Sequence, residues 1–180
     1  VDVDARTAVV GGEVLPWDAL VLASGVSARR LPVPGPPPTA AAGRHVVRTL
    51  DDAVALREAL RPGVRLVVLG AGFIGCEVAA TARSLGAEVR CVALDPLPML
   101  RPLGPALAAE LQRRHEEHGV VFHLGVGVGA ILGDDHVTGV LLGDGTELAA
   151  DVVVEALGSR PNVDLLDGQR VAERRSRRRV

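Results

Sequence analysis

Arg65-Leu66-Val67-Val68-Leu69-Gly70-Ala71-Gly72-Phe73-Ile74-Gly75 is an apolar run of strand length that meets three glycines spaced G-x-G-x-x-G. An apolar run this short, closed by a glycine, reads as a strand buried on both faces. Behind it, residues 73–85 read as a helix, with Ile74, Val78, Ala82 and Leu85 on one stripe. Glycines at this junction have a physical use. Gly70 permits the tight turn, Gly72 lets the backbone approach a pyrophosphate, and Gly75 lets the helix pack close to the sheet. The N–H groups and positive dipole end over Phe73, Ile74 and Gly75 then face the phosphates. In a chain with 21 glycines the spacing alone is weak. The strand before it and the helix after it supply the context that a dinucleotide fingerprint needs.

The next strand reads over residues 88–93. A dinucleotide fold places an acid at the end of this strand to bind the adenosine ribose hydroxyls. Ala93 stands there, and Asp95 follows two residues later. Asp95 serves if the loop turns back; otherwise Arg101 is placed to meet a 2′-phosphate. NAD and NADP are both left open.

Upstream of this strand, Thr49 and Asp52 fit a capping box for a helix with Leu50, Ala53, Leu56 and Leu60 on one face. Pro105 suits the first turn of a helix running to about His118, with Leu107 and Leu111 inward. Residues 120–124 read as strand. Short strands follow over 126–132, 136–142 and 147–148, the last two joined by a Gly143-Asp144-Gly145 turn. Residues 151–157 form a last buried strand. The order predicts an α/β fold: a Rossmann-like, doubly wound parallel sheet with a β-meander crossover. Towards the start, residues 7–10 and 13–15 flank Gly11-Gly12 as a hairpin, and residues 19–23 read as a strand buried on both faces. The prolines between Leu31 and Pro38 mark a linker. The expected divisions are 1–35, a linker at 36–43, a main domain at 44–160 and a tail at 161–180.

Composition narrows the class. The chain has 180 residues, 48% of them hydrophobic, and a net charge of −2. That apolar share excludes disorder, and no run approaches a membrane span. Val1-Asp2-Val3-Asp4 lacks the character of a secretory signal, and the two cysteines make no disulfide framework, so a cytoplasmic location is expected. All 20 basic residues are Arg, and six of them crowd into residues 170–180 beside a single Glu. That end reads as a solvated terminus. Two Phe and one Trp provide no stacking platform, so nucleic acid is not an expected partner.

The stretch from Val67 to Arg83 resembles the NAD-domain fingerprint of the FAD-dependent pyridine nucleotide-disulfide oxidoreductases, in the branch of the ferredoxin and rubredoxin reductases. Three further stretches are similar to the family in the same order. Trp17-Asp18-Ala19-Leu20-Val21-Leu22-Ala23-Ser24-Gly25 resembles its exit from the FAD domain. His45-Val46-Val47-Arg48-Thr49-Leu50-Asp51-Asp52 resembles its entry to the NAD domain. Gly158-Ser159-Arg160-Pro161-Asn162 resembles its return. The resemblance spans about residues 5–166. It implies hydride transfer from NAD(P)H to FAD, with electrons passed to a small iron–sulfur carrier of ferredoxin or rubredoxin type. Gly70, Gly72, Phe73, Ile74 and Gly75 would lie at the pyrophosphate and Glu77 near the nicotinamide end. Arg101 would lie at the adenosine side and Gly158 along the nicotinamide. Residues 1–35 would be the trailing part of an FAD domain. The departures are Ala93 for the ribose acid, Trp17 for Tyr, Ser24 for Thr and Ala156 for Gly. The family's opening FAD-binding glycine motif and its later Gly-Asp flavin segment do not occur in this sequence. The alternative expectation is therefore a module that binds a dinucleotide without turnover.

Two constellations are set aside. His115-Glu116-Glu117-His118 places its histidines three apart, not the four of H-E-x-x-H, and reads as the solvated end of an amphipathic helix. Cys76 and Cys91 form no C-x-x-C pair and read as small buried residues.

Overall fold

The computed structural model describes residues 1–167. The Arg-rich stretch 170–180 lies outside the described residues. The chain divides into two compact units: one holds Val1–Ser27 with the residues from Arg160 on, the other Ala28–Ser159.

In the first unit, β1 (Thr7–Val10) and β2 (Glu13–Pro16) form the expected antiparallel hairpin, with Val10 opposite Glu13. Gly11 and Gly12 both take positive φ, which that tight connection requires. Residues 19–23 correct the sequence reading. They form no strand, and Val21 is 88% exposed. A strand forms only where a neighbouring strand completes its backbone ladder, and no strand pairs with this run among the described residues. Asn162 closes this unit. It receives the Ser27 hydroxyl on Oδ1 at 2.7 Å, and its Nδ2 donates to Ser24 O at 3.1 Å. β3 (Val26–Ala28) lies at the division.

The larger unit carries β4 (Arg44–His45), α1 (Leu50–Ala59), β5 (Arg65–Leu69), α2 (Phe73–Ser84), β6 (Glu88–Ala93) and α3 (Leu100–Glu117). They are followed by β7 (Val120–Leu124), β8 (Val128–Leu132), β9 (Gly139–Leu142), β10 (Glu147–Ala149) and β11 (Val152–Glu155). β12 (Ser159–Pro161) pairs with β3. The five-stranded sheet runs β4-β11-β5-β6-β7, parallel throughout, and the antiparallel meander β8-β9-β10 joins its two halves. Strand periodicity divides the core. Leu66, Val68, Val89 and Cys91 pack with α1 and α2 on one face, whereas Val67, Leu69, Val92 and Val153 meet Ile131, Val140 and Leu142 of the meander on the other. Helices thus cover one face and the meander the second.

Several helical faces differ from the expected stripes. α2 buries Gly75, Cys76, Ala79 and Ala82, while Ile74 is exposed, because the small residues let the helix axis approach the sheet. α1 has its capping box, but its inward residues are Leu56 and Leu60; Leu50 and Ala53 face solvent. α3 turns helical earlier than Pro105, at Leu100, and breaks at Gly104 (φ 69°) before Pro105 restarts it; Ala108 is inward and Leu107 is exposed.

The proline-rich stretch is no free linker. Pro36 is fully buried, Leu31 and Val33 pack on the meander, and Pro34 O accepts the Ile131 N–H at 2.9 Å. An ion cluster holds the same stretch. Glu155, ending β11, is buried and accepts from Arg30 Nη1, from the Leu31 N–H, and from Nε and Nη2 of Arg44.

Candidate functional site

The chain leaves β5 at the point where the sheet switches direction, with β6 on one side and β11 on the other. In open α/β sheets such a point, at the carboxyl ends of the strands, forms the ligand crevice. The glycine motif sits there, and each glycine has a separate reason. Gly70 has φ +103°, and a Cβ on it would lie 2.4 Å from Ala156 O. A Cβ on Gly75 would lie 1.9 Å from Gly70 O, so only glycine lets α2 approach the turn. A Cβ on Gly72 would meet nothing within 4 Å. Gly72 therefore leaves open space where the other two answer to packing, as a backbone approached by a ligand requires.

Gly72 is also the N-cap of α2 and offers no side-chain cap. The first helical bond is Cys76 N–H to Gly72 O at 2.9 Å, so the N–H groups of Phe73, Ile74 and Gly75 precede the helical ladder. Phe73 and Ile74 are 61% and 44% exposed. This set of free donors at a positive dipole end fits a pyrophosphate.

The underside of the turn is anchored. Gly70 N–H donates to Val92 O, and Met99 N–H to Ala71 O, each at 2.8 Å. Met99 holds a left-handed conformation (φ 55°) as the N-cap of α3, tying that helix to the turn. The thiols of Cys76 and Cys91 approach Ala71 O at 3.6 Å and Gly70 O at 3.8 Å. Burial pushes the Cys76 thiol up to about 11 and the Cys91 thiol up to about 12, so both stay protonated. Sequence reasoning missed Met99 and the thiol contacts. No local pattern marks a left-handed methionine or the direction of a thiol.

The flanking residues occupy the same carboxyl edge. Ala93 ends β6; Asp95 lies beyond it, its carboxylate 3.6 Å from Arg101 Nε, with Arg101 85% exposed. Beyond β6 the chain stays beside the end of β7, where Gly125 N–H donates to Asp95 O at 3.4 Å. Gly158 follows β11 with φ +82°, and its carbonyl accepts the Arg29 N–H at 3.0 Å. Glu77 lies on an exposed face of α2, two residues beyond Gly75. Among the described residues no cluster of three His, Cys, Asp or Glu side chains is placed to hold a metal. His115 is half-buried rather than solvated. Its ring nitrogens face Cys76 O and Leu111 O, and its ring meets Phe122 edge-on.

The family model described as pyridine nucleotide-disulphide oxidoreductase matches residues 1–180. The chain belongs to that family. Within it, the relatives are of the ferredoxin-reductase kind. Rhodocoxin reductase of Rhodococcus erythropolis is 38% identical over 167 residues, 92% of this chain and 38% of that protein. The ferredoxin reductase component of a chlorobenzene dioxygenase from Cupriavidus sp. is 40% identical over 91% of this chain and 40% of its own length. Among solved structures, the ferredoxin reductase for the CYP199A2 system of Rhodopseudomonas palustris matches with a TM-score of 0.82 and 38% identity, covering 93% of this chain and 41% of that one. A covalent putidaredoxin reductase–putidaredoxin complex matches with a TM-score of 0.84 and 35% identity, covering 93% and 41%. The chain thus spans about two fifths of the length of these relatives. No helix among the described residues is long and apolar enough to cross a membrane.

Proposed function

We propose that this chain is the NAD(P)H-binding part of an FAD-dependent oxidoreductase that passes electrons to a small iron–sulfur carrier. The observation that carries this reading is the glycine turn, closed to any side chain at Gly70 and Gly75 yet open at Gly72. The chemistry of the two cofactors, when bound, is hydride transfer from reduced nicotinamide to flavin. This chain's own residues contribute binding and orientation. The N–H groups of Phe73, Ile74 and Gly75 receive the pyrophosphate, and Gly158 lines the nicotinamide path. Asp95 or Arg101 meets the adenosine ribose. Residues 1–27 belong with a flavin-binding domain, and the exposed apolar run 19–23 is consistent with further segments of that domain covering it. The relatives' names as ferredoxin and rubredoxin reductases support the iron–sulfur partner.

Titration of the purified 180-residue chain with NADH and with NADPH, followed by nucleotide fluorescence, tests the binding step. Saturable binding by at least one is expected, and no binding at high micromolar concentration overturns the reading. Adding FAD in a second titration separates the enzyme from the binding module. Tight flavin binding with NAD(P)H-dependent bleaching marks the former, and dinucleotide binding without flavin marks the latter.

A further inference from the structure

We infer that Cys91 and Cys76 are positioning residues for dinucleotide binding: their buried thiols cap the inward carbonyls of the phosphate-binding turn and so hold its N–H face outward. The inference rests on the proposed dinucleotide site. Both thiols reach consecutive residues of the turn, Cys91 to Gly70 O at 3.8 Å and Cys76 to Ala71 O at 3.6 Å. They arrive from different elements, β6 and α2, so the turn is gripped from the sheet and from the helix it opens.

The two carbonyls are not equivalent. Ala71 O also accepts the Met99 N–H at 2.8 Å and keeps that bond if the thiol is lost. For Gly70 O, the donor recorded among the described residues is the Cys91 thiol. That carbonyl is enclosed, since a Cβ on Gly75 would sit 1.9 Å from it. A buried carbonyl without a donor is costly, and the turn relieves the cost by rotating the peptide that joins Gly70 to Ala71. Rotation about that peptide carries its N–H with it and disturbs the approach to Gly72. A protonated thiol is the right group for this role. Cys91 is fully buried, so it donates without a charge and without the volume of a larger side chain. An apolar residue there would fill the space and leave the carbonyl unpaired.

The test compares NADH affinity of the full chain across four variants, each first checked for native far-UV circular dichroism. Cys91→Ala is expected to weaken NADH binding about fivefold or more, as loss of the partner of a buried carbonyl implies. Cys91→Ser keeps a donor but sets it on a shorter bond than the thiol, so its affinity is expected to fall between those of wild type and Cys91→Ala. Cys76→Ala is expected to weaken binding less than Cys91→Ala, because Met99 still serves Ala71 O. Val89→Ala, in the same strand and core but remote from the turn, is expected to lower the melting temperature without changing affinity. Equal affinity of wild type and Cys91→Ala, or a loss in Cys76→Ala as large as that in Cys91→Ala, overturns the inference while leaving the site intact. If Cys91→Ala does not fold, Cys91→Val, which fills the space without a donor, takes its place under the same criteria. If wild type itself binds neither NADH nor NADPH, the proposed site falls and the inference with it.

Discussion

Glu155→Ala removes the acceptor at the centre of a buried ion cluster, and the structure sets the size of the loss. The carboxylate is fully buried and takes four hydrogen bonds: Arg30 Nη1 at 3.1 Å, Leu31 N–H at 2.6 Å, Arg44 Nε at 3.1 Å and Arg44 Nη2 at 3.2 Å. The two arginines fare differently without it. The Arg30 side chain is 32% exposed and can turn to water, so its share is small. The Arg44 side chain is 4% exposed and cannot. It keeps Pro36 O and Leu31 O as acceptors but loses its counter-charge. Removing one partner of a buried pair costs roughly 3–5 kcal/mol, and most of that falls on Arg44. In a domain stabilised by about 5–15 kcal/mol this is a large fraction. The melting temperature should fall by roughly 10 °C. Urea unfolding followed by circular dichroism measures the loss directly. The double variant Arg44→Met/Glu155→Ala should recover much of it, because no bare charge is then buried. A single-variant loss under about 1 kcal/mol would refute the reasoning, since it would mean that water already reaches the Arg44 guanidinium.

Three further outcomes are expected. Gly75→Ala drives a Cβ into Gly70 O, so NADH binding should be lost in calorimetric titration with a lowered melting temperature; wild-type affinity would mean that α2 can shift without cost. Ala93→Glu should raise the preference for NADH over NADPH in paired titrations, and an unchanged ratio would mean that Asp95 already holds the ribose or that this strand end does not touch the cofactor. The pH profile follows from groups whose pKa is lowered on folding. Burial, then the Arg30 charge, pushes His45 below 6.5, so the unfolded chain takes up a proton that the folded one refuses. Its contribution is complete above pH 6.5 and is lost as pH falls through the lower folded value. Asp151 is held below 3.8 by the Arg65 side chain, and its contribution is lost only in stronger acid. Urea midpoints should therefore fall between about pH 7 and about pH 5, and His45→Gln should flatten that interval.

Legibility differed between levels of structure. β5, β6 and β7 occupy the spans predicted for them: β5 lies within the sheet with both faces covered, and the edge strand β7 is held by its ladder to β6. The Thr49–Asp52 capping box was equally readable, since its partners are three residues apart. Residues 19–23 have the same apolar character as β5 and yet form no strand. The difference lies in neighbours, which a local pattern does not contain. His115 looked like part of a charged helix end, but it lies against α2, 39 residues away, through Cys76 O.

By itself, the sequence determined the order of strands and helices and the conformational freedom at Gly70, Gly72 and Gly75. Both follow from local properties: side-chain period, capping and the absence of a Cβ. The tertiary structure alone decided which of those glycines answers to packing and which to open space. It also decided that Arg44 and Arg30 share the Glu155 carboxylate, and that two thiols lie beneath the turn. These depend on groups brought together from up to 125 residues apart, and only the closed sheet sets their distances.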